Sequence, residues 1–175
     1  YPSLLWAQRK KILAPDGAAE DRFGHDVSIS GDYAVVGAYR DNDRGNFSGS
    51  VYIFNRNQGG VNNWGLVKKI YADDGAEEDY FGTNVFISGD NLIVGATGDG
   101  DKGFHSGSAY IFARNQGGAN NWGQVKKLLP VDGEAEKIFG YSVSIHGDIA
   151  VVGAHGDDEF GVNTGSAYIF ARNQG

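Results

Sequence analysis

The sequence predicts an all-β fold of four-stranded antiparallel units repeated around an axis, as in a β-propeller. The first observation is a strict 58-residue repeat, which keeps Phe23-Gly24, Phe81-Gly82 and Phe139-Gly140 in register. The second is a composition of 28 glycines, 3 prolines and 13% aromatic residues, which suits short strands joined by tight turns. The third is that no window shows helical periodicity. A period of this length is typical of propellers, solenoids or arrays.

The second repeat shows the predicted strands most clearly. Residues 84–88 alternate between polar and apolar types and end at the turn Gly89-Asp90. Residues 91–96 are almost continuously apolar, as expected for a strand buried on both faces. Residues 107–113 supply a third strand, and residues 122–128 alternate again and supply a fourth. In the first repeat we expect strands near residues 25–30, 33–38, 49–55 and 64–71.

The repeat also sets the predicted boundaries within one repeat domain, residues 1–175. Residues 1–15 carry an outer strand that has no blade before it. Residues 16–73 and 74–131 form two blade repeats, and residues 132–175 form a third, incomplete one. Solenoid turns are usually shorter, roughly 20 to 30 residues, so the period favours a propeller.

Three blades do not close a ring, and two interpretations remain open. The chain is either part of a longer propeller or a building block of an assembly. In the second case the N-terminal strand of one copy completes the last blade of another. Two copies would then form a six-bladed ring.

Charge and composition exclude several classes of partner. The chain carries 22 acidic and 15 basic residues, a formal net charge of −7, which argues against nucleic acid and permits a cation. It contains no cysteine, so neither disulfides nor thiolate metal sites are expected. No apolar stretch is long enough to span a bilayer, and we expect no membrane insertion.

The order Phe-Gly, strand, Gly-Asp, apolar strand, Gly-Ser-x-Tyr-Ile-Phe resembles the FG-GAP repeat. That family builds the β-propellers of integrin α subunits and of many bacterial extracellular proteins. The resemblance implies an extracellular or cell-surface protein that acts in binding or adhesion. The sequence departs from the pattern because Tyr39, Thr97 and His155 replace the proline of the motif, and because the integrin-type calcium loop is missing. Family calcium sites are therefore not transferred to this chain.

The loop between the second and third strands carries the strongest chemical signal. Carboxylates two residues apart, followed by glycine, can converge on Ca²⁺. No distal bidentate glutamate follows, so any affinity would be weak, and capping of the turns by aspartate is the favoured alternative. The candidate calcium ligands are Asp41, Asp43, Asp99, Asp101, Asp157 and Glu159.

Two further groups of charged residues recur with the repeat. An acidic group precedes each Phe-Gly, and we interpret it as a solvated connection between blades, with a shared cation site as the alternative. A Lys-Lys pair lies on each predicted outer strand, where lysines discourage strand-to-strand aggregation, with a site for an anionic ligand as the alternative. The pairs are Lys10-Lys11, Lys68-Lys69 and Lys126-Lys127.

Tryptophans Trp6, Trp64 and Trp122 open the outer strands. Packing over the blade edge is the favoured role, and a lectin-like sugar-stacking platform is the alternative. The chain shows no nucleophile elbow and no acid–base pair at a recognisable spacing, so we expect no enzyme. The sequence thus predicts a binding or adhesion module for a glycan or protein ligand. The alternative is a structural protein that assembles with other copies of itself.

Overall fold

A computed structural model describes residues 6–172 and contains no helix in that range. The strands form three antiparallel sheets, one for each repeat. Blade 1 consists of β1 (Val27–Ser30), β2 (Tyr33–Ala38), β3 (Ser50–Asn55) and β4 (Gly65–Ile70). Blade 2 consists of β5 (Phe81–Ser88), β6 (Asn91–Ala96), β7 (Ser108–Ala113) and β8 (Gly123–Leu128). Blade 3 consists of β9 (Phe139–His146), β10 (Ile149–Ala154) and β11 (Ser166–Ala171).

Each blade is an antiparallel meander in which consecutive strands pair. Blades 1 and 2 have four strands, and blade 3 has three within the described range. These blades confirm the predicted all-β propeller architecture and the predicted strand positions. Residues 6–14 form no strand in the single chain, so the pairing expected for this segment stays a prediction. The described part of the chain has no helix long and apolar enough to span a membrane.

The middle strand of a blade is apolar because it is buried on both faces. In β6, the side chains of Leu92 and Val94 point into the core shared with blade 1. The side chain of Ile93 points into the core shared with blade 3. All three are fully buried. Each blade is therefore one layer in a stack, and its stability depends on its neighbours.

The inner strands approach so closely that only glycine fits between them. A Cβ atom placed on Gly37 would lie 2.1 Å from the carbonyl oxygen of Gly82. A Cβ atom placed on Gly95 would lie 2.0 Å from that of Gly140. Real Cβ atoms do not come so near to a main-chain oxygen. The repeated Gly-Ala of the apolar strand thus permits close packing between blades.

Side chains of blade 1 also bind the free edge of β5. The amide of Val85 donates to Asp26 Oδ2 at 2.7 Å, and that of Ile87 donates to Ser28 Oγ at 3.1 Å. Unpaired amides at a sheet edge would otherwise be open to another strand. These bonds therefore join the two blades and protect the edge.

We predict that Gly95→Ala destabilises the protein by about 2 kcal/mol or more, because the new methyl group would press on the backbone of Gly140. Gly100→Ala is the matched control. A Cβ on Gly100 has its nearest neighbour 3.7 Å away, so that variant should melt like the wild type. Urea unfolding of both variants measures the difference, and equal midpoints would contradict the close-packing account.

Candidate functional site

The candidate metal ligands lie at one edge of the sheets, which we call the loop edge. The loop between the second and third strands of each blade lies there, together with the connection that enters the next blade. Asp41 and Asp43 belong to the first of these loops, and Asp16 belongs to the connection that precedes blade 1. Lys69 lies near the end of β4, which reaches the same edge.

In blade 1 these groups meet around one ammonium. Lys69 Nζ lies 2.8 Å from Asp16 Oδ2, 2.6 Å from Asp41 Oδ2 and 2.7 Å from Asp43 Oδ2. The hydroxyl of Tyr52 lies 2.7 Å from Asp16 Oδ1 and 3.0 Å from Asp41 Oδ2, and its one proton serves these two acceptors. A single lysine therefore ties the outer strand to the loop and to the connection.

Blade 2 repeats the arrangement. Lys127 Nζ lies 2.7 Å from a carboxylate oxygen of each of Asp74, Asp99 and Asp101. The hydroxyl of Tyr110 donates to Asp99 Oδ2 at 2.7 Å. Asp99 and Tyr110 are buried, so the ion pair is shielded from water on one side.

The carboxylates hold both lysines in the charged form. Burial opposes the charge of Lys127, but hydrogen bonds to Asp101, Asp74 and Asp99 outweigh it and raise the pKa of the ammonium. The pKa of Lys69 is raised for the same reasons. The hydrogen bond from Lys69 in turn lowers the pKa of Asp16 and of Asp43.

The loop aspartates also cap their turns, as the favoured alternative predicted. Asp41 Oδ1 accepts the amide of Asp43 at 3.1 Å, while its Oδ2 faces Lys69. Asp99 Oδ1 accepts the amide of Asp101 at 3.0 Å. One carboxylate thus has two roles, because its two oxygens point to different partners.

Blade 3 holds the same carboxylates with a different cation. Lys137 Nζ lies 3.4 Å from both Asp132 and Asp157. Lys137 occupies the repeat position of Asp21 and Asp79, not that of Lys69 and Lys127. Hydrogen bonds from Ser166 and then Tyr168 hold the pKa of Asp157 at about 2, below its usual value.

The donor set of blade 2 can be tested for a metal. Asp74, Asp99 and Asp101 each offer an oxygen within 4.8 Å of the others. The ammonium of Lys127 lies among these oxygens, so Ca²⁺ would have to displace it. The residues as arranged fit an ammonium, and calcium binding stays a prediction.

The three tryptophans differ in exposure. Trp122 is fully buried, with its ring centroid 5.4 Å from that of Tyr33 on blade 1. This burial gives Trp122 the packing role and leaves no face for a sugar ring. Trp64 is half-buried and Trp6 is fully exposed, so ligand binding by these two stays a prediction.

Edge protection by the paired lysines stays a prediction, and two of the lysines have a further role that the sequence did not indicate. Lys69 and Lys127 are the centres of ion-pair clusters, and the acidic connections supply one ligand to each. Asp16 and Asp74 are about half exposed, as expected for a solvated connection, but their ion pairs with lysine were not predicted. The sequence did contain a signal, because an aspartate of the acidic connection is followed 53 residues later by a lysine in both pairs. The reason for this spacing is evident only from the fold, which brings the two residues together.

A second feature of the loop edge was not predicted: a cluster of aromatic rings at the seam between blades 1 and 2. The ring of Tyr80 lies 6.0 Å from Tyr39, 6.2 Å from Phe47 and 6.3 Å from His105. Phe104 stacks on His105 at 3.9 Å. We call these five residues the ring cluster.

Arg40 lies beside the ring cluster. Its guanidinium is 5.5 Å from the centre of Tyr39 and 5.1 Å from that of Phe47, within cation–π range. The Nε atom of Arg40 is buried without a hydrogen-bond partner. Phe104 is 65% exposed, so the cluster reaches solvent.

We predict that Lys127→Met destabilises the protein by about 1–3 kcal/mol, because three carboxylates lose their cation. The freed carboxylates should then bind Ca²⁺, and millimolar calcium should restore part of the lost melting temperature. Lys126→Met is the matched control, since the side chain of Lys126 is exposed on the same strand. Differential scanning fluorimetry with calcium or chelator measures both effects. An unchanged melting temperature for Lys127→Met would contradict a stabilising cluster.

We predict that Asp79→Asn increases the stability of the protein by an amount that depends on pH. Burial raises the pKa of Asp79 to about 6. The hydrogen bond from the amide of Ala76 and the charge of Lys127 lower this pKa, while the negative charges of Asp99 and Asp74 raise it further. The unfolded chain binds fewer protons between about pH 4 and 6, so stability falls as pH rises through that window. Asp79→Asn should therefore stabilise at pH 7 by about 1–3 kcal/mol, and less at pH 4. Asp73→Asn, at an exposed position, is the control; equal gains at both pH values would contradict the prediction.

Comparison with known proteins agrees with the repeat seen in the sequence and in the structure. The FG-GAP repeat family matches residues 6–54, 64–112 and 122–170, which together cover most of the chain. No curated protein matches. Among solved structures, the computationally designed Ika4 protein is 11% identical, with 95% of this chain and 100% of that chain covered, at a TM-score of 0.37. The computationally designed Ika8 protein is 12% identical, with 86% of this chain and 46% of that chain covered, at a TM-score of 0.35. The chain belongs to the FG-GAP repeat family.

Proposed function

We propose that this chain is a non-enzymatic binding or adhesion module that presents the ring cluster to a ligand outside the cell or at the cell surface. The observation that carries the proposal is the contiguous set of partly exposed rings across the seam of two blades. Large exposed aromatic groups that touch one another are typical of interaction sites. FG-GAP repeats build propellers that commonly serve in binding, and this supports the same class of role.

The chemistry of the ring cluster suits a glycan. Ring faces bind apolar surface, while a few polar groups fix the orientation of the ligand. The exposed Asn42 and Asn46 lie in the same loop as Phe47 and carry polar side-chain amides. A glycan offers both apolar ring faces and hydroxyl acceptors. A protein segment with an aromatic side chain is the other outcome of the test.

The charged groups of the loop edge support a structural role rather than a catalytic one. Asp41, Asp99 and Asp157 at the loop edge each form an ion pair with lysine, and a tyrosine hydroxyl donates to the same oxygen of each. A catalytic acid or base needs a free face toward a substrate. The ion pairs instead fix the loops that carry the rings.

The test is a glycan array probed with the labelled chain, followed by titration of each ligand found. We predict that Phe104→Ala weakens binding about tenfold or more, because an exposed ring stacked on His105 is lost. Phe160→Ala is the matched control, since Phe160 is also a loop phenylalanine and is 87% exposed, but lies outside the cluster. Equal effects of the two substitutions, or an array without ligands and no protein partner on a cell surface, would overturn the proposal.

Assembly with other copies is the second candidate function. It is favoured by a separate observation, the full exposure of Trp6, and it concerns a different surface from the ring cluster.

A further inference from the structure

The N-terminal segment lies beside blade 1 where the outer strand of a preceding blade would lie, and no such blade is present among the described residues. Lys10 Nζ donates to the main-chain and side-chain oxygens of Asn63, as Lys68 Nζ does to those of Asn121. Asp16 pairs with Lys69, as Asp74 pairs with Lys127. Residues 10–16 therefore lie against blade 1 in the same way as residues 68–74 lie against blade 2.

In blade 2 the tryptophan of the outer strand fills the space between two blades. Trp122 is fully buried in a core that blades 1 and 2 share. The apolar side chains of this core include those of Ile53, Val67, Ile70, Ile87, Leu92 and Phe112.

The same six positions, one repeat further on, line an open groove. The groove lies between blades 2 and 3 and has a volume of about 350 Å³. Phe112 is only 2% exposed, whereas its equivalent Phe170 is half-buried, and Val125 in the groove is 46% exposed. The groove is lined by Ile111, Val125, Leu128, Ile145, Ala150 and Phe170.

The chain carries the residue that matches this groove. Trp6 stands at the repeat position of Trp122, and its side chain is fully exposed in the single chain. Within the described residues β11 is an edge strand of its sheet, so its outer side is open to an additional strand. Ile169 of β11 lies on the end face of blade 3 and is 75% accessible. By contrast Ile53, at the same position of β3, is fully buried.

The charges at the loop edge of blade 3 also match the N-terminal segment. Asp132, Asp157 and Glu159 stand at the positions of the three carboxylates that surround Lys69 and Lys127. Lys137 reaches two of them at 3.4 Å, and within residues 6–172 the carboxylate of Glu159 forms no ion pair. Lys11 stands at the repeat position of Lys69 and Lys127.

The end faces of the stack are apolar at both ends. Val27 and Ile29 on blade 1 are 63% and 65% exposed, whereas their equivalents Val85 and Ile87 are buried against blade 1. On blade 3, Val151 is 38% exposed, whereas its equivalent Ile93 is buried. Each end face thus has the side chains that pack against a neighbouring blade.

We propose that residues 6–13 of a second copy of this chain add to the edge of β11 as its outer strand. Trp6 of that copy fills the groove, and its Lys11 binds among Asp132, Asp157 and Glu159. Three carboxylates then face two ammonium groups, so the cluster stays negative. Two copies exchange the segment reciprocally, their end faces meet, and the result is a closed six-bladed ring, within the usual range for propellers.

Sedimentation velocity on the 175-residue chain tests the proposal over a range of concentrations. The expected species has twice the 18.7 kDa of one chain. Trp6→Ala should weaken the association at least about tenfold, because a buried aromatic anchor is lost. The side chain of Trp6 is fully exposed in the single chain, so this variant should leave the melting of the monomer unchanged.

A charge exchange tests the second contact. Lys11→Glu and Glu159→Lys should each weaken the association, and the double variant should recover it, since the opposite charges are restored. Glu77→Lys, the same charge change at an exposed position between blades 1 and 2, should have no effect. A monomer at all concentrations, a larger or mixed series of species, or association insensitive to both Trp6→Ala and the charge variants would each overturn the proposal.

Discussion

Burial of both faces of a blade against its neighbours is the constraint on which the rest of this structure depends. In β6, Leu92 and Val94 are covered by blade 1, and Ile93 is covered by blade 3. A single sheet of this size could not bury enough apolar surface to be stable alone. The repeat is therefore a unit of packing, and the same apolar strand is buried or half-exposed according to whether a neighbour is present.

The lysine clusters solve the corresponding problem at the loop edge. A glycine-rich loop has few apolar contacts, so its conformation needs polar bonds to fix it. One aspartate caps the turn with Oδ1 and binds lysine with Oδ2, so the local bond and the long-range bond use the same side chain. The loops are held in place by this double contact, and the ring cluster beside them is positioned as a result.

The sequence was sufficient to predict the blades because strand periodicity and turn residues are local signals. It also indicated that Asp41 and Asp99 cap turns, since aspartate followed by glycine acts within a few residues. It did not reveal that Lys69 and Lys127 bind these carboxylates, because that contact joins parts of the chain far apart in sequence. The ring cluster was not predicted from the sequence for a similar reason. Its rings come from two blades and, apart from Phe47 and His105, stand at different positions of the repeat.

The exposures of Trp6, Trp64 and Trp122 show how position in the stack decides the role of a residue. Trp122 lies between two blades and is buried, while Trp64 has only the N-terminal segment beside blade 1 and is half-buried. The residue type and repeat position are the same, so only the neighbouring blade differs. If two copies close a ring, each tryptophan gains two blades around it, and two ring clusters are carried by one rigid body. Two linked sites bind a multivalent surface more tightly than either does alone, without any new contact. Assembly and binding would then be successive consequences of the same packing rule.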